Sequence, residues 1–242
     1  MNSQKLLEIF ATNLAGLVPE RKVPVRYPPY PSVKQYVYPA SELAVATGYY
    51  EWDLVKEFSK IVQGKTVFDI GSYIGTYGLV ALAAGANQVV FCEPYPASAE
   101  RIEENISVNG FNNRAIIINK AVSDEVGYVT LDTSDDPQKN SIIRDYNDGI
   151  EVKTTTLNHI SNSYSLKPEI LKIDVEGAAG QVISGGIDVL PSTHHIIAEI
   201  HHDEERETVL SELDSTDFAA REFDETHLVF TNSIRSNILM DQ

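Results

Sequence analysis

The sequence has almost no cysteine, no long hydrophobic run and little positive charge. One residue of 242 is cysteine, Cys92. That excludes an internal disulfide and fits a reducing compartment. Set in the apolar run Val89-Val-Phe-Cys92, it reads as a buried, inert thiol. No apolar run approaches the roughly 20 residues of a membrane span. The first residues, Met-Asn-Ser-Gln-Lys-Leu-Leu-Glu, lack the basic region and apolar core of a secretion signal, so a cytoplasmic protein is expected. Lys and Arg number 19 against 35 Asp and Glu, a net charge of −16. Such a surface repels phosphate backbones and anionic lipids, so no nucleic-acid partner is expected. The densest basic stretch is only Arg21-Lys22 with Arg26. A salt-rich cytoplasm would also produce an acidic surface, but eleven lysines weigh against it. Hydrophobic content of 43% and aromatic content of 9% are ordinary for a globular chain.

The patterning divides the chain in two. Residues 1–62 read as an N-terminal unit, and residues 63–242 as the main domain. Leu6, Leu7, Phe10, Leu14 and Leu17 form one stripe of an amphipathic helix. The Pro/Tyr-rich segment from Pro19 to Pro39 cannot be a regular helix and reads as an extended arm. Its Tyr27-Pro-Pro-Tyr30 lacks the leading Asn or Asp of an amino-methylating motif, which suggests a cover over a pocket, and Tyr49-Tyr50 would cap that pocket by position. A helix is predicted over 49–62, ended by Gly64. From Lys65 onward apolar runs alternate with helical patterns, which predicts an α/β fold with a mostly parallel sheet. Strands are expected at 65–70, 88–93, 115–119, 169–174 and 195–200. Helices are expected at 74–84, 96–109, 178–190 and 203–213. An inserted hairpin is predicted from 126–131 and 150–155 around a polar tip. A terminal antiparallel hairpin is predicted from 218–223 and 227–231.

The most informative segment is Lys65-Thr-Val-Phe-Asp-Ile-Gly-Ser-Tyr-Ile-Gly75. A buried strand ends in Asp69, then turns through Gly71 and Gly75 into a helix, as strands do beneath a nucleotide-like ligand. A second apolar run ends in Glu93, 18 residues after Gly75, where an acid grips a ribose diol in dinucleotide folds. Tyr73 stands where the G-x-G-x-x-G fingerprint needs glycine. That points to a nucleoside ligand without a pyrophosphate, and S-adenosyl-L-methionine is the commonest of these. Asp69 would accept the ligand's ammonium or a water bound to it. The backbone of Gly71, Ser72 and Gly75 would pass the methionine and ribose portions. The two oxygens of Glu93 would take the ribose hydroxyls. Ala121, Val122 and Asp124 would border the adenine.

Several blocks together resemble the FkbM-type methyltransferases, in order over about residues 50–230. They are Leu171-Lys-Ile-Asp-Val-Glu-Gly177, Thr155-Thr-Leu157, Gly185-Gly186, Ala198-Glu-Ile-His201, Phe68-Asp-Ile-Gly-Ser-Tyr-Ile-Gly75, Glu93-Pro94, Glu104-Asn-Ile106 with Asn109-Gly110, and Ala121-Val-Ser-Asp124. The resemblance implies a class I (Rossmann-like) methyltransferase sheet, S-adenosylmethionine as donor, and O-methylation of a small molecule or glycan. The terminal hairpin agrees, since sheets of that class end on an inserted antiparallel strand. Two positions depart from the family pattern: Ala178-Ala179 follow Glu176-Gly177 where E-G-x-E is usual, and Asn158 stands where an Asp commonly follows Thr-Leu. They leave open a donor-binding protein without transferase activity. A nucleotide-dependent oxidoreductase is disfavoured by Tyr73.

Asp174 and Glu176, at the end of the 169–174 strand, and His201, after the 195–200 strand, are the expected catalytic groups. A carboxylate there favours the sulfonium charge or takes an acceptor's proton, and an imidazole titrates near neutrality. Lys172 is expected to snorkel out of a mostly buried strand. Glu199, His201 and His202 with Asp174 would be an alternative divalent-metal set. E-x-H-H is not a recognised ligand signature, so no metal is expected. His194 and His195 lie at the opposite strand end and read as structural.

Overall fold

The structure, a computed structural model, describes residues 21–27, 30, 32–38, 42, 45, 51–132 and 149–238. The expected helix over 1–18, Pro28-Pro29, Tyr49-Tyr50 and the tip of the inserted hairpin lie outside them. The main sheet has seven strands: β3 (Thr66–Ile70), β4 (Gln88–Cys92), β5 (Ala115–Ile118), β9 (Ile170–Ile173), β10 (His195–Glu199), β11 (Phe218–Glu222) and β12 (His227–Asn232). Their order is β11-β12-β10-β9-β3-β4-β5. β10, β9, β3, β4 and β5 run parallel, whereas β12 pairs antiparallel with both β10 and β11. This is the mostly parallel sheet with a terminal antiparallel hairpin that the patterning predicts. The central strands are buried on both faces, hence near-continuous apolar runs such as Val67-Phe68 and Ile170-Leu171.

Helices cover both faces. α1 (Trp52–Ile61) and α2 (Thr76–Ala83) pack with Phe58, Tyr77, Leu79 and Leu82 against Val67, Val89, Phe91 and Ile197. On the other face, α4 (Leu157–Tyr164), α5 (Ala179–Ser184) and α6 (Asp203–Asp214) bury Leu157, Val182 and Val209 against Phe68, Val90, Leu171 and Ile196. α3 (Pro96–Asn109) follows β4, ends on Gly110 in the left-handed conformation, and places Ile102 and Ile106 in the first of these cores. A short helix, α7 (Ser233–Ile238), follows β12.

Three elements differ from the sequence expectations. The helix expected over 178–190 ends at Ser184, where the pair Gly185-Gly186 follows, poor helix formers both; a Cβ on Gly185 would stand 2.1 Å from the Ser123 carbonyl oxygen. α4 follows Thr156, whose hydroxyl accepts from the His159 N–H at 3.0 Å; its polar Asn-His-Ile-Ser-Asn run hid the helix. The extended arm is a hairpin, β1 (Val23–Arg26) with β2 (Lys34–Val37). Its outer edge bonds to α3: Asn105 accepts from the Tyr36 N–H at 2.7 Å, and Asn109 accepts from the Lys34 N–H at 2.9 Å. The four-residue spacing of those asparagines puts both amides on one helix face. A small sheet of β6 (Ala121–Val122), β8 (Gly149–Thr155) and β7 (Tyr128–Asp132) carries the insertion.

Candidate active site

Chain order reverses between β3 and β9: β3 leads outward to β4, and the later strands return on its other side. Ligands bind outside the carboxyl ends of strands at such a point. Asp69, Glu93, Asp174, Glu176 and His201 all sit at those ends.

The glycine turn is built around the neighbouring strand. Gly71 has φ +77°, and a Cβ on it would stand 1.6 Å from the Asp174 carbonyl oxygen. Its bareness therefore admits the backbone of Asp174. Gly75, at φ +84°, caps the start of α2. The Ser72 hydroxyl donates to the Asp69 carbonyl at 2.7 Å, so its side chain is spent on the turn. Tyr73 adopts φ +50° between two anchors: its N–H donates to Glu93 at 2.8 Å and its hydroxyl bonds Glu42, just past the arm. Arg101 clamps the same Glu42 with both terminal nitrogens, each at 2.6 Å.

Glu93 is buried, with one oxygen accepting from Tyr73 and the other from the Tyr95 N–H at 2.8 Å. Burial raises its pKa to about 8 against the pull of those two N–H groups, with Asp69 and Asp174 adding to the rise. Asp69 is also buried. Its carboxylate accepts from the Gly78 N–H at 3.0 Å, and burial raises its pKa to about 7, opposed by Lys172. Ala121 and Val122 are buried in β6, and Asp124 is exposed with its carboxylate accepting from the Ser123 hydroxyl at 2.9 Å.

Asp174, Glu176 and His201 come together. His201 faces Asp174 through Nε2 at 3.9 Å and Glu176 through Nδ1 at 3.5 Å. These are ion-pair rather than hydrogen-bond distances. Asp174 foremost, with Glu176, holds the imidazole's proton and raises its pKa to about 9 despite partial burial. Burial works against ionisation of Asp174, yet Lys172 at 3.6 Å and His201 keep its pKa well below the usual carboxylate range. Glu176 has φ +47°, unusual for a residue with a Cβ, and burial raises its pKa. Glu205, buried in the first turn of α6, ties the two loops: its carboxylate accepts from the Ala179 N–H at 3.0 Å and the His201 N–H at 2.9 Å. The acidic start of that helix was visible in the sequence, and its third residue is where a capping carboxylate reaches back.

Lys172 corrects the snorkelling expectation. Its side chain is 1% exposed and its ammonium makes no hydrogen bond among the described residues. His227, Glu51 and Asp224 did not stand out in the sequence. His227 is buried at the start of β12, with Asp224 at 2.9 Å on one nitrogen and Glu51 at 3.1 Å and Glu199 at 3.7 Å on the other. Among the described residues, two groups of three, Glu51-Glu199-His227 and Asp174-Glu176-His201, have potential ligand atoms within 4.8 Å of one another. In each, the histidine faces carboxylates through both nitrogens, and Lys172 adds a fixed positive charge beside Glu199 and Asp174. This is the arrangement of ion pairs, which a divalent cation would have to displace. His195 bonds Thr231 at 3.2 Å, away from these groups.

The fold is that of the class I methyltransferases: among solved structures it is similar to a Streptococcus mutans protein assigned as a SAM-dependent methyltransferase (TM-score 0.53, 13% identity, covering 88% of this chain and 55% of that one). It is also similar to the Pyrococcus abyssi tRNA (uracil-54, C5)-methyltransferase, solved with S-adenosyl-L-homocysteine (TM-score 0.50, 15% identity, 88% and 43%). At such identities the likeness is one of fold alone. Residues 69–231 match the methyltransferase FkbM domain, and the chain belongs to that family. A curated relative, the hexuronic acid methyltransferase AglP of Haloferax volcanii, is 28% identical over 140 residues, 56% of this chain and 55% of that protein. The chain thus matches about half the length of that relative.

Proposed function

We propose that this protein is an S-adenosylmethionine-dependent O-methyltransferase acting on a glycan or small-molecule hydroxyl, with a uronic-acid-bearing glycan as the first acceptor class to try. The observation that carries the reading is the FkbM-domain match across the very strand ends where Asp69, Glu93, Asp174 and His201 gather. The uronic-acid element comes from the name of the Haloferax relative.

The donor set fits the ligand. Asp69, Glu93, Asp174, Glu176 and Glu199 surround the switch point, and the cations among them, Lys172 and His201, are already ion-paired. Such a ring repels a pyrophosphate and attracts a sulfonium. Each Glu93 oxygen has given one lone pair to a backbone N–H and keeps another for a ribose hydroxyl. S-adenosylmethionine, when bound, supplies a methyl group on a positively charged sulfur. Asp69 would receive the ammonium side, and Ala121, Val122 and Asp124 would flank the base. The rigid turn from Gly71 to Gly75 and the Asp174 loop would hold donor and acceptor about 3–3.5 Å apart, which accounts for much of the rate in such transfers. His201 in its neutral form takes the acceptor hydroxyl's proton, and Asp174 stabilises the imidazolium that results. Ala178-Ala179 do not remove this pair, and Asn158 is engaged elsewhere, its amide donating to Asp188 at 2.9 Å. These contacts support an active enzyme over a donor-binding protein alone.

The test incubates the protein with methyl-labelled S-adenosylmethionine and a panel of glucuronate-containing and neutral oligosaccharides. Label transferred to an oligosaccharide, and lost in His201→Ala, is the expected result. Thermal shifts with S-adenosylhomocysteine and NAD run alongside. Stabilisation by NAD alone would overturn the reading. With a reactive acceptor, kcat/KM should rise with pH towards about 9, as His201 gives up its proton.

A further inference from the structure

Asp174 belongs to a longer array. From the turn between β11 and β12 inward, charges alternate without a break: Asp224, His227, Glu199, Lys172, Asp174, His201, Glu176. Successive contacts are 2.9, 3.7, 4.0, 3.6, 3.9 and 3.5 Å. The array crosses the amino end of antiparallel β12 and the carboxyl ends of β10 and β9, and Glu51 at the head of α1 joins it through His227. The turn is itself shaped to aim His227, since Asp224 also accepts from the His227 N–H at 2.8 Å and the Thr226 N–H at 2.9 Å.

Lys172 is the anomaly. Its neighbours Leu171 and Ile173 are apolar and fully buried, and so is Ile197 beside it on β10. A buried ammonium without a hydrogen bond costs desolvation that ion pairs rarely recover, and an apolar side chain of similar volume is often as stable or more so. Packing therefore does not explain the lysine. Its position does: Asp69 on β3, Tyr77 on α2 (ring centroid 4.9 Å away), Asp174 just past the end of its own strand, Glu199 on β10 and Glu51 all face it. Its nearest charge is Asp174.

We propose that Lys172 and His227 are positioning residues for methyl transfer: they carry alternating charge from the Asp224 turn to Asp174 and hold that carboxylate ionised and aimed at His201. The proposal rests on the methyltransferase reading above, but its first readout does not. In the full-length protein with labelled aspartate and glutamate, carboxyl carbon resonances are followed through pH, Asp174 being assigned by Asp174→Asn. Asp174 should titrate below the ordinary range in the wild type. In Lys172→Met its midpoint should rise by about two units or more, as expected for losing a cation under 4 Å away in a medium of effective dielectric about 20. In His227→Gln the Glu199 midpoint should rise, because a cation has left its side. If Lys172→Met does not fold, His227→Gln decides alone. An Asp174 midpoint unmoved in folded Lys172→Met, or a Glu199 midpoint unmoved in His227→Gln, overturns the proposal. S-adenosylhomocysteine is titrated into the same samples. Failure to bind the wild type removes the methyltransferase reading while the titrations still judge the array. With an acceptor in hand, Lys172→Met should lower kcat about tenfold or more while S-adenosylhomocysteine affinity stays within about threefold; equal losses in both would mean a general structural role and also overturn it.

Discussion

Glu93 shows how one side chain serves the fold and, in our reading, the ligand. Its oxygens bond the N–H groups of Tyr73 and Tyr95, so it shapes the turn that would cradle the donor. Burial raises its pKa to about 8 and that of Asp69 to about 7. The ionised forms attract a sulfonium, so affinity for S-adenosylmethionine should strengthen as pH rises from 6 to 9. Glu93→Gln should weaken binding about tenfold or more, the scale of a lost charge-assisted hydrogen bond, and flatten that pH dependence. Calorimetry at three pH values checks both; wild-type affinity in the variant would sink the ribose assignment. The strand-end position of Glu93 was legible in the sequence. Its bond from the Tyr73 N–H was not, because it reaches across from the glycine turn, where Tyr73 adopts a positive φ that no propensity anticipates.

Among the elements, α6 does more than cover the sheet. Glu205 in its first turn receives N–H groups from the start of α5 and from His201, so one carboxylate sets the distance between the loops after β9 and β10. Glu205→Ala strands two backbone donors and should cost about 1–3 kcal/mol in urea unfolding. It should also reduce turnover more than S-adenosylhomocysteine affinity, since His201 loses its register with Asp174. Glu205→Gln keeps one acceptor oxygen and should fall between. A variant with full turnover would show that the loops hold their register without this brace. The helical pattern of α6 was plain from the sequence. What its third residue touches depends on how far it reaches across to β9, which is a property of the packed layers.

For the whole molecule, several folded-state pKa values lie above their ordinary values: Asp69 at about 7, Glu93 at about 8, His201 at about 9 and His227 at about 10. A group whose pKa rises on folding stabilises the protein below its unfolded pKa, and the contribution is lost as pH climbs through the folded one. Asp174 acts in the opposite sense, but only at pH values near and below the ordinary aspartate range. Stability without ligand should therefore decline steadily between pH 6 and 10. The decline should be shallower in His227→Gln. Thermal midpoints at pH 6, 8 and 10 test this; a midpoint that rises with pH contradicts the assignment of these buried groups. The net charge of −16 adds repulsion of the same sign.

By itself the sequence determined the alternation of strands and helices, the parallel core with its antiparallel end, the glycine turn, and the acids closing β3, β4 and β9. These follow from periodicity, glycine chemistry and chain-local turns, all readable within a few residues. Only the tertiary structure decided that Gly71 is bare for Asp174, that Lys172 lies sealed among carboxylates, and that His227, 55 residues after Lys172, stands in the same array. Charge–charge distances across three strands depend on sheet order and register. Those are settled when the whole apolar core packs.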